Sequence, residues 1–165
     1  MQDDVISGPG VEDEHAMNIP QPKKTVLDHL NSILAGNGLA KNDEDDKSIE
    51  IDIDNFYGHV VDFDSQEVIG DKPWAIKFFA PWCPHCQKMA PIWEKFHRSK
   101  ANVINVASVD CTTDKGQELC EKLQVEAFPM VYYLPLKSNK MYVNKKFART
   151  MAGYSKFTLE NGWQD

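Results

Sequence analysis

The sequence predicts an α/β fold, a sheet layered by helices, and three observations carry that expectation. Segments of strand length alternate with amphipathic helical segments along residues 48–165. One of them, Trp74-Ala-Ile-Lys-Phe-Phe-Ala80, is a nearly continuous apolar run, the pattern of a strand buried on both faces. A Cys-x2-Cys pair, Cys83 and Cys86, stands where that run gives way to a helix. The remaining elements follow from local pattern. Ile49, Ile51 and Ile53 alternate with Glu50, Asp52 and Asp54, a period-two strand, and Asp54 is placed to cap a short helix running through Val61. Residues 84–98 read as helix, with Met89, Ile92, Trp93 and Phe96 on one face. Val103–Val109 reads as strand, Asp114–Leu123 as helix and Met130–Leu134 as strand. A further strand is expected within Met141–Met151, and a closing helix from Tyr154.

The first 47 residues differ in kind. Of the chain's net charge of −7, all falls within residues 1–50, where 11 Asp/Glu face 4 Lys/Arg. Residues 1–22 carry three prolines and no periodicity and are expected to be a disordered tail. Thr25–Ala35 places Val26, Leu27, Leu30, Ile33 and Leu34 on one helical face, with Thr25 and Asp28 as a capping pair and Gly36 as the stop. Such a helix packs on a domain surface or docks a partner. Residues 36–48 read as an acidic spacer; the run Asn42–Asp46 lacks the glycine and terminal glutamate of a calcium loop. The chain divides into an acidic, partly disordered extension, 1–47, and a domain, 48–165. A pI near 5.2 without a basic cluster disfavours nucleic acid as a partner. No apolar run approaches the ~18 residues of a membrane span. The first 20 residues lack the basic and apolar regions of a signal peptide, and the chain ends in Gly162-Trp-Gln-Asp165 rather than a retention tetrapeptide.

The chemistry concentrates at Trp82-Cys83-Pro84-His85-Cys86. Unpaired backbone N–H groups and the dipole at a helix N-terminus stabilise an anion, and the thiolate is the nucleophile in disulfide exchange. Cys83 takes that position. Cys86 follows one turn deeper, within reach of an intramolecular disulfide. Pro84 suits the first helical turn, where its missing N–H costs nothing. His85 is placed to donate to the Cys83 sulfur or to sit beside it as a cation. Half of a zinc site is the competing reading, but it would recruit Cys111 and Cys120, and Cys-x8-Cys is a poor knuckle spacing. Four cysteines permit three disulfide connectivities; the 24-residue gap between the pairs favours bonding within each.

The stretch from Lys72 through Cys83-Pro-His-Cys86 to Ala90-Pro-Ile-Trp-Glu-Lys95 resembles the active-site segment of the protein disulfide isomerase family. Val109-Asp-Cys-Thr112, Leu119-Cys120 with Val125, and Ala127-Phe-Pro-Met-Val131 match further blocks of that family. The resemblance covers about residue 48 to the C-terminus and implies a thioredoxin fold, a central mixed β-sheet flanked by helices. It implies that Cys83 attacks and Cys86 resolves, and that Pro129 is a cis-proline facing them. It further implies a client surface of Trp82, Phe128 and Pro129, and a structural disulfide Cys111–Cys120. The Cys-x8-Cys spacing is also similar to the first domain of quiescin-type sulfhydryl oxidases.

Two departures touch the mechanism. The buried carboxylate usual on the central strand of that family is Lys77 here, and a lysine usual before the Val-Asp pair is Ser108. An arginine of the family is matched to Tyr154. Lys77 either snorkels at a strand margin or, if buried, is neutral or favours thiolate at Cys86. The resulting expectation is a thiol–disulfide oxidoreductase, active on cysteine-containing proteins with glutathione or a partner oxidoreductase, with no cofactor beyond the Cys83–Cys86 pair and no metal. The implied setting is the endoplasmic reticulum lumen or another secretory compartment. The alternatives are a redox-inert client-binding module and the first domain of a sulfhydryl oxidase.

Overall fold

The computed structural model describes residues 16–23, 27 and 47–164. The elements are β1 (Ala16–Asn18), β2 (Ile49–Glu50), α1 (Ile53–His59), β3 (Trp74–Phe79), α2 (Pro84–Lys100), β4 (Asn105–Asp110), α3 (Asp114–Lys122), β5 (Met130–Leu134), β6 (Lys140–Val143) and α4 (Met151–Phe157), with a 3-10 turn at Gly162–Gln164. They form the thioredoxin fold: one mixed six-stranded sheet, ordered β1-β6-β5-β3-β4-β2, flanked by four helices. The apolar run becomes the central strand β3, parallel to β4 and antiparallel to β5.

Alternation along β3 sends its side chains to two separate cores. Trp74, Ile76 and Phe78 pack with Phe56 of α1 and Leu119 of α3. Ala75 faces Met89, Trp93 and Phe96 of α2 and Tyr154 of α4. Trp93 anchors α2 to the sheet by donating its indole N–H to the Ala107 carbonyl at 3.0 Å. On the other layer, α3 lies so close to β4 that a Cβ on Gly116 would fall 1.8 Å from the Asp110 carbonyl oxygen. That close approach needs glycine. Thr113 caps α3 by accepting from the Gly116 N–H at 2.9 Å.

Several boundaries differ from the sequence expectation. The alternating isoleucines do not make one strand. β2 ends at Glu50, and Asp52, not Asp54, caps α1 in a reciprocal box with Asn55. Asp54 instead lies buried and pairs with Lys115 of α3 at 2.5 Å. Helix α1 is kinked at Gly58, whose φ of 100° lies in the left-handed region. The closing helix begins at Met151, three residues ahead of Tyr154, capped by Thr150.

The larger correction concerns residues 16–22, expected within a disordered tail. Ala16–Asn18 pairs antiparallel with Lys140–Tyr142 and supplies the sheet's edge strand. Ile19 enters the core, its N–H donating to Asn139 O at 2.9 Å, and the Tyr57 hydroxyl donates to the Pro20 carbonyl at 2.5 Å. An apolar dipeptide step and an open edge on β6 were enough to order a segment whose composition argues for disorder. The helix expected over Thr25–Ala35 falls outside the described residues apart from Leu27, which is exposed, and the acidic run 42–46 falls outside them entirely.

Candidate functional site

The site forms where β3 ends. Ala80 turns the chain, its carbonyl accepting from the Cys83 N–H at 3.1 Å, and Cys83 becomes the N-cap of α2 with Pro84 in the first turn. No side chain caps this helix, so its leading N–H groups remain directed at the Cys83 sulfur. The thiol is lowered from its usual range, first by the backbone N–H of Cys86, then by the Cys86 thiol, the His85 N–H and the Arg149 guanidinium, against a penalty from burial. Cys86, one turn further in, is pushed the other way. Burial is the main cause, with the Cys83 thiolate adding to it. Both are free thiols, 7% and 3% exposed. The two cysteines therefore differ in acidity, with Cys83 lowered at the start of α2 and Cys86 raised behind it.

The loop ahead of β5 closes over this pair. The Phe128–Pro129 peptide bond is cis, and the Cys83 thiol donates to the Phe128 carbonyl at 3.8 Å. Trp82, 68% exposed, meets Phe128 nearly edge-on at 6.2 Å between ring centroids. Trp82, Phe128 and Pro129 thus border the reactive sulfur. His85 is placed differently from expectation. Its imidazole is exposed and makes no hydrogen bond to the Cys83 sulfur; the residue acts through its backbone N–H. Pro84 is likewise exposed at the helix start.

Cys111 and Cys120 are joined by a disulfide, with Cα atoms 5.8 Å apart, linking the end of β4 to α3. They sit in the core behind the sheet, on the layer opposite α2, in the cluster that holds Leu119 and Leu123. Bonded to each other, they offer Cys83 and Cys86 no thiolates with which to share a metal. Among the described residues no cluster of three or more His, Cys, Asp or Glu is arranged to hold one.

The structure places two residues at which the sequence departs from the family pattern. Tyr154 does not approach the cysteines. It is fully buried, edge-on to Trp93 at 5.0 Å and to Phe96 at 5.6 Å. The guanidinium that does act on Cys83 belongs to Arg149, exposed on the loop between β6 and α4. Matching on Ala152-Gly153 did not point to it, because Arg149 lies ahead of that pair, between β6 and α4. Lys77 does not snorkel. It is 4% exposed at the middle of β3, its ammonium 4.7 Å from the centre of the Phe79 ring. Burial lowers its pKa, while Glu94 and Cys86 oppose that shift.

Glu94, which sequence reasoning did not single out, comes from α2 to the same face. Its carboxylate accepts from Ser48 N–H at 2.6 Å and Ser48 Oγ at 2.8 Å. Ser48 Oγ is also 2.7 Å from Ser108 Oγ, and Ser108 stands beside Lys77 in the β3–β4 register. A carboxylate and a lysine are thus present beneath the cysteines, on different elements from those the family pattern suggests. Nothing in the local sequence marks Glu94, since it lies 46 residues from its partner Ser48.

Comparison with known proteins agrees with this geometry. Residues 55–154 match the family model described as Thioredoxin. The chain is 34% identical over 93 residues to the protein disulfide-isomerase of Gallus gallus, covering 54% of this chain and 17% of that protein. It is 30% identical over 149 residues to protein disulfide isomerase-like 2-3 of Oryza sativa subsp. japonica, covering 86% of this chain and 32% of the relative. The chain thus spans a third or less of these relatives. Among solved structures, the first thioredoxin domain of mouse protein disulfide-isomerase A4 superposes with a TM-score of 0.57 at 26% identity, over 74% of this chain and 79% of that one. The Trx4 domain of ERdj5 gives 0.55 at 25% identity, over 70% and 93%. On the family model and these relatives together, the chain belongs to the thioredoxin family, as a thioredoxin domain of the protein disulfide isomerase family.

Proposed function

We propose that this domain is a thiol–disulfide oxidoreductase that exchanges disulfides with cysteine-containing proteins through Cys83-Pro84-His85-Cys86. The observation that carries the reading is the opposition between the two thiols. Cys83 is lowered by the N–H groups at the start of α2, and Cys86 is raised by burial. In the reducing direction the Cys83 thiolate attacks one sulfur of a client disulfide. That bond breaks, and its electron pair leaves on the client's other sulfur. Cys86 then loses its proton and attacks Cys83 Sγ, closing Cys83–Cys86 and releasing the second client thiolate. Oxidation of a client dithiol runs the same steps backwards, with glutathione or a partner oxidoreductase restoring the pair. The exposed Trp82, with Phe128 and the cis-Pro129, supplies the apolar margin against which an extended client chain lies.

Cys111–Cys120 is assigned a structural role, because it packs in the core cluster on the layer opposite α2. A structural disulfide of this kind suits an oxidising, secretory compartment such as the endoplasmic reticulum lumen. Among the described residues no helix is long and apolar enough to cross a membrane.

Two measurements test the reading. Alkylation of the reduced protein at mildly acid pH labels Cys83 well ahead of Cys86, and the protein catalyses insulin reduction in a Cys83-dependent manner. Equal labelling, or no turnover from a folded protein, favours the redox-inert client-binding alternative.

A further inference from the structure

The chain carries two blocks of opposite charge. Residues 127–159 hold Lys137, Lys140, Lys145, Lys146, Arg149 and Lys156 and no Asp or Glu. Residues 1–15 hold Asp3, Asp4, Glu12, Asp13 and Glu14 and no Lys or Arg. Strand β1 joins the two. Its antiparallel register with β6 pairs Asn18 with Lys140, Met17 with Met141 and Ala16 with Tyr142, and the Lys140 ammonium donates to the Asn18 side chain. Counted on by the same register, Val143, Asn144, Lys145 and Lys146 fall level with His15, Glu14, Asp13 and Glu12. Two lysines thus stand opposite the positions of two carboxylates, with a third carboxylate between His15 and Asp13.

The surface at the lysines is built. Asn144 fixes the turn that follows β6, its Nδ2 donating to the Phe147 carbonyl at 3.1 Å and its Oδ1 accepting from the Phe147 N–H at 3.0 Å. Lys145 and Lys146 are exposed on that turn, and neither has an ion-pair partner among the described residues. Lys146 lies only over the Phe147 ring, 5.5 Å from its centre. Beside the two ammonium groups is a cavity of about 80 Å³, walled by Phe147, Phe157 and Trp163 and larger than the ~10–15 Å³ that a water molecule needs. The indole N–H of Trp163 is withdrawn from solvent and meets no acceptor among the described residues. An orphaned donor of this kind is costly. Ala16 packs in the same cluster as Tyr142 and Trp163, so strand alternation would put Glu14, two residues earlier, on the Trp163 face.

We propose that this corner of the sheet is a docking site for the chain's own Glu12-Asp13-Glu14 segment, which lies along the Lys145–Lys146 turn, covers the aromatic cavity and brings an acceptor to the Trp163 indole. Three observations select this occupant over an acidic segment of another protein. The register already aims it at the turn. Its charge is opposite to that of the turn. Its tether is short, because Ala16 is fixed at Tyr142 and Glu14 is only two residues away. A short tether raises the effective concentration to the millimolar range, whereas a separate chain bears the full cost of association. Exposed ion pairs are individually weak, so the tether is what makes several of them sufficient, and salt opposes them. The inference does not depend on the redox chemistry of Cys83 and Cys86.

The test uses the full chain labelled with nitrogen-15, as wild type and as Glu12→Gln/Asp13→Asn/Glu14→Gln. Neutralisation is expected to shift the amide signals of Lys145, Lys146 and Phe147 and the indole signal of Trp163, which is identified by its loss in Trp163→Phe. The amides of Cys83 to Met89 stay in place. Raising sodium chloride to about 1 M moves the wild-type signals toward those of the neutralised protein, since charges are then screened within ~3 Å. Lys145→Glu/Lys146→Glu moves the Trp163 indole signal in the same way, and adding Glu12→Lys/Asp13→Lys/Glu14→Lys to it brings that signal back. Hexaglutamate, titrated at low salt, binds the neutralised protein roughly fivefold more tightly than wild type, the factor for a site that its own segment fills about four-fifths of the time. Identical Lys145, Lys146 and Trp163 signals in wild-type and neutralised protein at low salt overturn the proposal. Equal hexaglutamate affinities also overturn it, leaving the corner open to acidic partners. Shifts that grow with protein concentration overturn it as well, seating the segment on a second copy.

Discussion

Removing the Cys111–Cys120 disulfide tests whether that pair holds the fold or relays electrons. The bond spans a sequence separation of nine and ties the end of β4 to α3 across the core. Constraining a loop of that size in the unfolded chain stabilises the native state by about 2.5 kcal/mol on the chain-entropy account. Loss of two buried sulfurs, packed with Leu119 and Leu123, acts in the same direction. At this chain length roughly 2–4 °C of melting temperature corresponds to each kcal/mol, so Cys111→Ala/Cys120→Ala is expected to melt about 5–10 °C lower. The assay is thermal unfolding followed by circular dichroism, with Cys83 and Cys86 reduced in both proteins. A mild reductant that opens Cys83–Cys86 is expected to leave Cys111–Cys120 closed, because that disulfide packs in the core cluster with Leu119 and Leu123 and has no thiolate at a helix N-terminus. A double variant that keeps the wild-type melting temperature but loses oxidase turnover would refute the structural role and make the pair a relay.

Two further outcomes follow from the geometry. Arg149→Ala removes a positive charge that favours the Cys83 thiolate, so the pH midpoint for alkylation of Cys83 rises slightly, an exposed charge being screened by solvent and salt. The shift shrinks at high ionic strength; a midpoint that stays put at low salt removes Arg149 from the site. Ile19→Ala destabilises the protein by about 2–4 kcal/mol, read from urea unfolding, because a 4%-exposed side chain leaves the core. A variant as stable as wild type would mean that residues 16–20 do not belong to the folded domain in solution.

How much of this was legible in the sequence follows from the range of the forces involved. The central strand, the helix that follows it and the position of Cys83 at their junction rest on periodicities of two and 3.6 and on capping within one turn, and all were readable along the chain. So was the expectation that Pro129 faces the cysteines, though through the family pattern of Ala127-Phe-Pro-Met-Val131 rather than through local physics. The termini of elements were less so. Asp52 and Asp54 are equally good capping residues by type, and only the burial of Asp54 against Lys115 decides which one caps α1.

What the tertiary structure alone decided lies in contacts between residues far apart in the chain. The charge of Arg149 that acts on Cys83, the edge strand that Ala16–Asn18 adds to β6, and the cavity lined by both Lys77 and Glu94 have no local signature. Lys77 reads from sequence as a conflict, a cation in a buried strand. Folding places Ser108 alongside it on β4 and sets Glu94, held by Ser48 across 46 positions of chain, on the wall of the same cavity. A charge in a sheet interior is tolerable or not according to which groups the other layer brings over it, and that depends on helix packing rather than on the neighbours of residue 77 in the chain.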